Sequence, residues 1–349
     1  MKKFFTVAAS LILSAAMLTA CGSSAAPAAT TAAPETTAAA VTEAPAAETT
    51  EETKSFNIAI VQQLDHAYLD EIRLAIEAEL DKAAADKGFQ VSYKEFNGQN
   101  DNSVLNQIGA QVVADKYDAI IPIASLAAQC MVTAAEGTDT PIIYAAVSDP
   151  ASSGLTDIPN VTGTSDALNT AFILDMMLAA QPDLKTVGLL YSNSETNSQT
   201  PIAQAKEYLE QKGIAYIEKT GNSTDEILTA ASSLVGRVEA VFTPTDNVVM
   251  ACEGAVAEIL NQAGIAHYTG ADSFVAAGAF TTSGVNYTEL GTYTADMAVD
   301  ILLGGAVPEF HVMDGGIVTV NTEAAAQLGI DYSVFKTMAN TVVEVTTAE

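Results

Sequence analysis

From Phe56 onward the sequence alternates short apolar runs with longer stretches of helical periodicity, and this alternation limits the fold more than any other feature. The run FNIAIV (56–61) is typical of a buried strand, and the stretch 69–88 spaces its apolar residues as in a helix before it stops at Gly88. Strands that alternate with helices of this length predict a parallel sheet covered on both faces. The first series has predicted strands at 56–61, 89–96, 117–124 and 141–147 and predicted helices at 69–88, 102–116 and 125–137.

A second series of the same kind begins near residue 165. Because 349 residues are too many for one small core, two such series predict two doubly wound α/β lobes that meet at a cleft. Near the end of the chain, the runs 309–314 and 316–320 predict a hairpin that turns at Gly315-Gly316. The second series has predicted strands at 186–191, 214–220, 239–244, 265–270 and 278–286 and predicted helices at 167–180, 199–212, 225–235, 248–263 and 289–303.

The first 21 residues have the pattern of a processing signal. Lys2 and Lys3 precede an apolar run of about 17 residues, which is marginal as a membrane span. The run ends in Leu-Thr-Ala-Cys at 18–21, the pattern of a bacterial lipobox, although an ordinary secretory signal followed by a chance Cys is the alternative. We therefore expect a signal peptide at 1–20 and acyl chains such as palmitate on Cys21, which hold the protein at the outer face of the cell membrane.

The segment 22–55 consists mainly of Ala, Thr, Pro and Glu and has almost no large apolar residue. A segment of this composition cannot bury a core, so it is predicted to be a disordered acidic tether. A flexible chain of this length has an end-to-end distance of roughly 30–35 Å. Such a tether lets a folded domain work just above a bilayer.

The charge balance excludes one class of partner. The chain has 14 basic and 43 acidic residues, for a net charge of −29, and no basic patch offsets it, so binding of nucleic acid is excluded. Cys130 and Cys252 remain after the lipobox and are predicted to lie in different lobes. A disulfide between them would restrain the relative motion of the lobes, so two buried thiols are favoured over a bridge.

Polar residues follow the predicted strands on both halves of the chain. In open parallel sheets, ligands bind beyond the carboxyl ends of the strands, where helix N-termini direct free N–H groups at them. Helix capping uses the same residue types and is the alternative for any one loop. The loops are QQLDH (62–66), SLAAQ (125–129), SDP (148–150), SNSETNS (192–198), PTDN (244–247) and ADSF (271–274).

The charges in these loops narrow the ligand class. They hold Asp65, Asp149, Glu195, Asp246 and Asp272, but no Lys or Arg. A cleft of this kind is a poor site for phosphate and suits a neutral ligand or one with an ammonium group. A zwitterionic amino acid fits, with Asp for its ammonium and with hydroxyls and helix N-terminal N–H groups for its carboxylate.

Catalytic and metal-binding patterns are absent from the sequence. It has no GxSxG, GxxxxGK[ST], HExxH or CxxC motif, and the cleft loops offer no His pair, so neither an enzyme, a cofactor nor a metal site is expected. A lipoprotein hydrolase would need an activated nucleophile beside a base, and no such pairing is found. His66 beside Asp65 is either a ligand contact or a loop residue, whereas His267 is predicted to be a hydrogen-bonded core residue.

Several motifs together resemble the solute-binding lipoproteins of ABC importers. They are LDHAYLDEIRLAI (64–76), IASLAAQ (123–129), PIIYAAVSDPASSGL (141–155), NVTGTSD (160–166), VGLLYSNSETNS (187–198), VFTPTDNVV (241–249) and GADSFVAAGAFTTSGVNYTELG (270–291). The similarity covers about residues 56–320 and is greatest to the tryptophan/tyrosine-type branch with the type I periplasmic-binding fold.

The resemblance implies two lobes joined by three crossovers, which close on a small ligand by a population shift. Lobe 1 would comprise 56–164 and 272–305, lobe 2 would comprise 165–271 and 306–340, and 341–349 would be a tail. The implied partners are a small ligand, an amino acid and most simply an aromatic one, and an ABC permease, with the binding protein itself a monomer. The ligand-binding set predicted from the loops and the resemblance is Asp65, Ser125, Gln129, Ser148, Asp149, Asp166, Ser192, Asn193, Thr245, Asp246, Asn247 and Asp272.

Two alternatives stay open at this level. A membrane-tethered sensor ectodomain would have the same fold and cleft, and the ligand would be another neutral or cationic small molecule if the aromatic assignment fails. Five aromatic side chains border the predicted cleft and either stack on the ligand or belong to the core or rim. They are Tyr68, Tyr144, Tyr191, Phe274 and Tyr287.

Overall fold

The computed structural model describes residues 53–348, which form two α/β lobes. The chain builds most of lobe 1 first, as β1 (Ser55–Gln62), α1 (Ala67–Lys87), β2 (Gln90–Asn97), α2 (Asn102–Asp115), β3 (Ala119–Ile123), α3 (Ser125–Ala134), β4 (Ile142–Tyr144) and β5 (Val161–Ser165). It then builds most of lobe 2, as α4 (Thr170–Ala180), β6 (Thr186–Tyr191), α5 (Thr196–Lys212), β7 (Ala215–Thr220), α6 (Thr224–Leu234), β8 (Ala240–Thr243), α7 (Asn247–Met250), α8 (Glu253–Gln262), β9 (Ala266–Thr269), α9 (Asp272–Ala276) and β10 (Thr281–Gly284).

The last part of the chain returns to lobe 1 and then to lobe 2. Helix α10 (Tyr287–Leu302) packs so closely on α1 that a Cβ on Gly291 would lie 2.6 Å from the carbonyl oxygen of Ile72. Strand β11 (His311–Val312) also joins lobe 1. The chain ends in lobe 2 with β12 (Ile317–Asn321), α11 (Thr322–Leu328), α12 (Phe335–Met338) and β13 (Thr341–Val345).

Each lobe is built on one sheet. The lobe 1 sheet has the order β2-β1-β3-β4-β5-β11 and is parallel throughout. The lobe 2 sheet has the order β7-β6-β8-β9-β10-β12-β13, and only the β10–β12 pair is antiparallel. In β1, Ile58 and Ile60 enter one apolar cluster while Ala59 and Val61 enter another, so the strand is buried on both faces, as its continuous apolar run predicts.

Three segments cross between the lobes, and together they confirm the predicted two-lobe fold with three crossovers. The first joins β5 to α4 (residues 166–169), the second joins β10 to α10 (285–286), and the third joins β11 to β12 (313–316). Except for β12 and β13, which run in the opposite direction, the strands of both sheets therefore have their carboxyl ends at a shared cleft beside these crossovers.

The structure differs from the sequence-based lobe boundaries at three places. Residues 272–284 belong to lobe 2, because β10 pairs with β9 and β12. The segment that contains β11 returns to lobe 1, where β11 pairs with β5, so the predicted hairpin at 309–320 is wrong. Its Gly pair serves the third crossover instead, with Gly316 at φ 91°. Residues 341–345 form the edge strand β13 rather than a tail.

Strand β5 is absent from the sequence-based assignment. Its sequence Val-Thr-Gly-Thr-Ser lacks an apolar run, yet all five residues are buried. Gly163 is required there, since a Cβ at this position would collide with the carbonyl oxygen and ring of Tyr144 on β4.

The predicted signal peptide, lipidated Cys21 and nearly all of the tether lie outside the described residues; the tether's last predicted residue, Ser55, is already in β1. Within residues 53–348, no helix has the length and apolar character that crossing a membrane requires.

Candidate ligand-binding cleft

The loops at the carboxyl ends of the two sheets meet each other through direct hydrogen bonds. The Tyr68 hydroxyl of lobe 1 donates to Asn247 Oδ1 of lobe 2 at 2.9 Å. Ser148 Oγ of lobe 1 lies 3.1 Å from Thr245 Oγ1 of lobe 2. The predicted interlobe cleft is therefore present, and its two walls are in contact at its centre.

Glu195, at the end of the loop after β6, is the centre of this contact. Its Oε1 accepts a hydrogen bond from Gln63 Nε2 of lobe 1 at 3.0 Å, and its Oε2 accepts one from Asn247 Nδ2 at 2.6 Å. Asn247 Oδ1 in turn lies 3.1 Å from His66 Nε2. Gln63 Oε1 accepts from the backbone N–H of Leu126, in the first turn of α3. One network thus joins the loops after β1, β3, β6 and β8.

Three buried carboxylates converge on this network. Asp166, Glu195 and Asp246 are each at most 4% exposed. Burial raises the pKa of Tyr68 well above its usual value, and repulsion from all three carboxylates adds to the rise. Burial, followed by repulsion from Asp246, raises the pKa of Glu195 to about 7. Burial also raises the pKa of Asp166.

No basic side chain balances these carboxylates within residues 53–348. The Lys and Arg ion pairs in this part of the chain involve other acids, all on the outer surfaces of the lobes. A buried carboxylate without a cation is unfavourable, and a ligand that brings a positive charge would lower this cost. The electrostatics of the cleft therefore favour a ligand with an ammonium group.

Asp246 is a structural residue as well as a member of the carboxylate group. Its Oδ1 accepts from the N–H groups of Val248 and Val249, which caps α7, and its Oδ2 accepts from Ser192 N at 2.7 Å and Ser198 Oγ at 2.6 Å. Four donors saturate the carboxylate. The geometry matches the capping alternative, and the Ser192 N–H is likewise used inside lobe 2.

Asp166 accepts fewer hydrogen bonds than Asp246. It begins the first crossover, and it accepts hydrogen bonds from Ser148 Oγ at 2.8 Å and from the Tyr287 hydroxyl at 3.3 Å. Tyr287 also packs against Tyr68, with ring centroids 4.9 Å apart, and Tyr68 packs against His66 at 4.3 Å. An aromatic cluster from lobe 1 thus lies beside two carboxylates.

The first turn of α3 is the other polar feature of the cleft. The N-cap residue, Ala124 at φ 77°, provides no capping side chain, and Gln63 from the loop after β1 accepts from the Leu126 N–H instead. The Ser125 hydroxyl is buried and has no hydrogen-bond partner among the described residues. A helix N-terminus with a free hydroxyl suits a ligand carboxylate.

The remaining predicted residues lie at the rim or away from the cleft. Asp149 and Gln129 make rim contacts across the lobes, to Thr200 Oγ1 at 2.6 Å and Thr196 Oγ1 at 3.4 Å. Asp65 and Asn193 are exposed and lie apart from the central network, and Asp272 lines an adjacent groove that shares Tyr68 and Tyr287 with it. The structure therefore groups Ser125, Ser148, Asp166, Thr245 and Asn247 at the centre, with Asp246 behind them.

All five aromatic side chains predicted near the cleft are buried and belong to apolar clusters: Tyr144, Tyr191, and Phe274 with Tyr68 and Tyr287. Tyr68 and Tyr287 differ in that their hydroxyls also donate to Asn247 and Asp166 in the cleft. His267 is a buried core residue, as predicted, with Nδ1 2.9 Å from Glu253 and Nε2 2.8 Å from Thr243.

Sequence reasoning missed Gln63 and Glu195 as members of the central network. Both lie in loops that follow strands, which was the available signal. Their mutual contact, however, joins residues 132 positions apart in the chain. Cys130 and Cys252 are buried free thiols in different lobes. Within the described residues, no group of three or more His, Cys, Asp or Glu is arranged to hold a metal ion.

Comparisons with known proteins agree with this architecture. The sequence model of the family described as ABC transporter substrate binding protein matches residues 57–341. The tyrosine-binding protein of Clostridioides difficile (strain R20291) is 29% identical over 286 residues, which cover 80% of this chain and 82% of that protein.

Two solved structures show the same fold at similar identity. An ABC domain from Streptococcus pneumoniae in complex with L-Trp has a TM-score of 0.77 and 29% identity, covering 83% of this chain and 100% of that one. The ligand-free, open structure of a substrate-binding protein with adhesive properties from Clostridium difficile has a TM-score of 0.64 and 30% identity, covering 84% of this chain and 100% of that one.

Proposed function

This chain belongs to the ABC transporter substrate-binding protein family, whose members bind solutes outside the cytoplasm and are not enzymes, and from that premise we propose that it captures a zwitterionic aromatic amino acid between its lobes. The observation that carries the proposal is the pair of buried carboxylates, Asp166 and Glu195, without a basic partner among the described residues. They are the acceptors for the ligand ammonium, since Asp246 is saturated by its own lobe.

The ligand carboxylate is assigned to the first turn of α3, at Ser125 and Leu126. The Gln63 amide spans the gap between Leu126 N and Glu195 Oε1 through hydrogen bonds of 3.1 and 3.0 Å. Two such bonds and one amide group cover at most about 8 Å. The ammonium and carboxylate of an α-amino acid, each with its own hydrogen bond, span a similar length. On this proposal the ligand replaces the bridge that Gln63 makes.

The aromatic side chain of the ligand is assigned to the cluster of His66, Tyr68 and Tyr287. Rings at 4.3 and 4.9 Å from one another offer faces and edges for a further aromatic group. The names of the similar proteins support this assignment, because one is a tyrosine-binding protein and another was solved with L-Trp.

The lobes of this chain have a closed arrangement. At nearly equal identity, the similarity is higher to the Trp complex, at a TM-score of 0.77, than to the ligand-free open protein, at 0.64. The direct hydrogen bonds between Tyr68 and Asn247 and between Gln63 and Glu195 agree with closure. Closure around the ligand is the signal that we propose an ABC permease reads.

The absence of Trp from the chain provides a direct binding test. Excitation at 295 nm reports only added indole, so titration of the protein with L-tryptophan should change the ligand's emission. L-Tyrosine and L-phenylalanine should raise the melting temperature, by an amount equivalent to about 2.7 kcal/mol of stability at 100 times Kd.

Two analogues serve as matched controls for the charge assignments. Indole-3-propionate lacks the ammonium and tryptamine lacks the carboxylate, so both should bind much more weakly than L-tryptophan. If none of the three aromatic amino acids changes emission or melting temperature, the proposal is wrong. Equal binding of indole-3-propionate and L-tryptophan would instead refute the role of Asp166 and Glu195.

We further propose that Cys21 is lipidated after cleavage, which places the cleft at the outer face of the cell membrane. The lipobox and the polar segment that follows it support this assignment. Intact mass of the membrane-extracted protein should show the acylated Cys21 as the first residue. A Cys21→Ser variant should be released into the medium, and a mature protein that begins elsewhere would contradict the assignment.

A further inference from the structure

A groove of about 540 Å³ lies beside the central network, between the start of α1 and helix α9, and shares Tyr68 and Tyr287 with it. The second crossover, the start of α10 and strands β12 and β13 complete its walls. Two charged side chains line it, Glu71 of lobe 1 and Asp272 of lobe 2, and none of the lining residues is Lys or Arg. The groove therefore brings two carboxylates from opposite lobes into one space.

The surroundings of these carboxylates are otherwise neutral. From α10, Thr288 Oγ1 donates to Glu71 Oε1 at 2.5 Å. The other titratable groups are Tyr68 and Tyr287, and burial raises the pKa of both well above the usual value. Strands β12 and β13 contribute only Ile, Thr and Val. Nothing in the walls offsets two negative charges.

We propose that Glu71 and Asp272 form an electrostatic gate that opposes closure of the lobes at neutral pH and releases it when Asp272 is protonated. Glu71 lies near the start of α1, which follows β1, and Asp272 begins α9, which follows β9, so both are at sheet edges that face the other lobe. On this proposal, closing the lobes brings the two carboxylates together and opening separates them. Like charges brought into a partly desolvated space oppose that movement.

The pH dependence of the gate has a defined sign. Burial, followed by repulsion from Glu71, raises the pKa of Asp272 to about 6. Above this pH the carboxylate is ionised in the closed protein and closure is opposed. As the pH falls below about 6, Asp272 begins to take up a proton and the opposition weakens, and it is fully lost only below the usual pKa of about 4. The rise in pKa from about 4 to about 6 limits the effect on the closing equilibrium to about 100-fold.

The first test measures closure without any ligand. In a Cys21→Ser background, single-molecule energy transfer between dyes on Asp139→Cys in lobe 1 and Lys212→Cys in lobe 2 reports the ratio of closed to open molecules, because Cys130 and Cys252 are buried. At pH 7.5, Asp272→Asn should raise this ratio at least about fivefold over the parent. Lowering the pH to 5 should raise the ratio of the parent about tenfold and leave that of the variant unchanged. An unchanged or lower ratio at pH 7.5 overturns the proposal.

The second test uses L-tyrosine binding by isothermal titration and rests on the proposed function. At pH 7.5, Asp272→Asn and Glu71→Gln should each tighten binding at least about fivefold, and the double variant should be no tighter than the better single variant, because both remove one repulsion. Additive effects of the two substitutions, or weaker binding by Asp272→Asn, overturn the gate; weaker binding would make Asp272 a ligand contact.

A matched control separates the gate from net charge. Asp86→Asn removes the same charge from the exposed far end of α1, about 22 Å from Glu71, and should leave both measurements unchanged. An effect of Asp86→Asn equal to that of Asp272→Asn also overturns the gate. If no variant binds L-tyrosine, the proposed function fails, and the energy-transfer measurement still decides the gate.

Discussion

Substitution of Glu195 by Gln tests the site at a carboxylate whose pKa is raised by burial. The carboxylate accepts hydrogen bonds from Gln63 and Asn247 and has a pKa of about 7 in the closed arrangement of the lobes before a ligand is bound. A bound ammonium requires the ionised form, so below pH 7 the ligand must displace a proton. Affinity should therefore be full at pH 8 and fall as the pH drops through 7.

The size of the effect follows from that pKa. Between pH 8 and pH 5.5, the ionised fraction of a group with a pKa of about 7 falls about 30-fold, which corresponds to about 2 kcal/mol of binding free energy. An aromatic amino acid keeps the same zwitterionic charge over this range. Loss of the charge-assisted hydrogen bond in Glu195→Gln should cost about 1.5–3 kcal/mol at pH 8. At pH 5.5 the two proteins should agree within a few-fold, because a protonated Glu resembles Gln.

Isothermal titration with L-tyrosine at half-unit steps of pH measures this dependence. The experiment belongs in an Asp272→Asn background, which removes the proposed gate and its opposite pH dependence. The Glu195→Gln variant should then bind with an affinity that is flat from pH 5.5 to 8. A parent protein whose affinity is equally flat, or a Gln variant that keeps the parent's slope, would refute the assignment of the ammonium to Glu195.

Two predictions concern stability and are checked by urea unfolding. Asp246→Asn should lower the free energy of unfolding by about 1–3 kcal/mol, because an amide NH₂ in place of Oδ2 cannot accept from Ser192 N and Ser198 Oγ. Asp101→Asn, at a cap that uses only Oδ1, should change the free energy of unfolding by less than about 0.5 kcal/mol. Equal losses in the two variants would contradict the assignment of four donors to Asp246. Gly163→Ala should cost more than about 3 kcal/mol through its collision with Tyr144, whereas Gly254→Ala, whose Cβ would have no atom nearer than 3.8 Å, should stay within about 1 kcal/mol of the parent.

The fold was largely predictable because most of its strands have a recognisable local sequence pattern. The run at 56–61 is apolar without interruption, and a central parallel strand needs that composition. Strand β5 has no apolar run, because its sequence is determined by contacts with the neighbouring strands. Gly163 is needed to avoid a collision with Tyr144, and the periodicity of the sequence does not reveal such a contact. The Gly pair at 315–316 is a genuine turn signal, but a turn between two lobes and a turn within a hairpin look alike in sequence.

The site was predictable at the level of loops and less so at the level of side chains. The polar loops after the strands meet at the interlobe cleft, where Ser148 contacts Asp166 and Thr245 and where Tyr68 donates to Asn247, and their contact with a ligand stays a prediction. Asp246 shows the limit, because a capping carboxylate and a ligand-binding carboxylate have the same sequence context. Glu195 shows the other limit, since its pKa depends on burial by the opposite lobe, which only the assembled structure supplies.

Because the backbone crosses between the lobes three times, each lobe can complete its fold only late in synthesis. The lobe 1 sheet takes its edge strand β11 from residues 311–312, and the lobe 2 sheet takes β13 from residues 341–345. Neither half can complete its sheet until nearly all of the polypeptide has been synthesised, and many of the native pairings join segments distant in the chain, which makes folding slow. A polypeptide of this design reaches its native fold only when its synthesis is nearly complete, and no single cut would release either half as an intact unit.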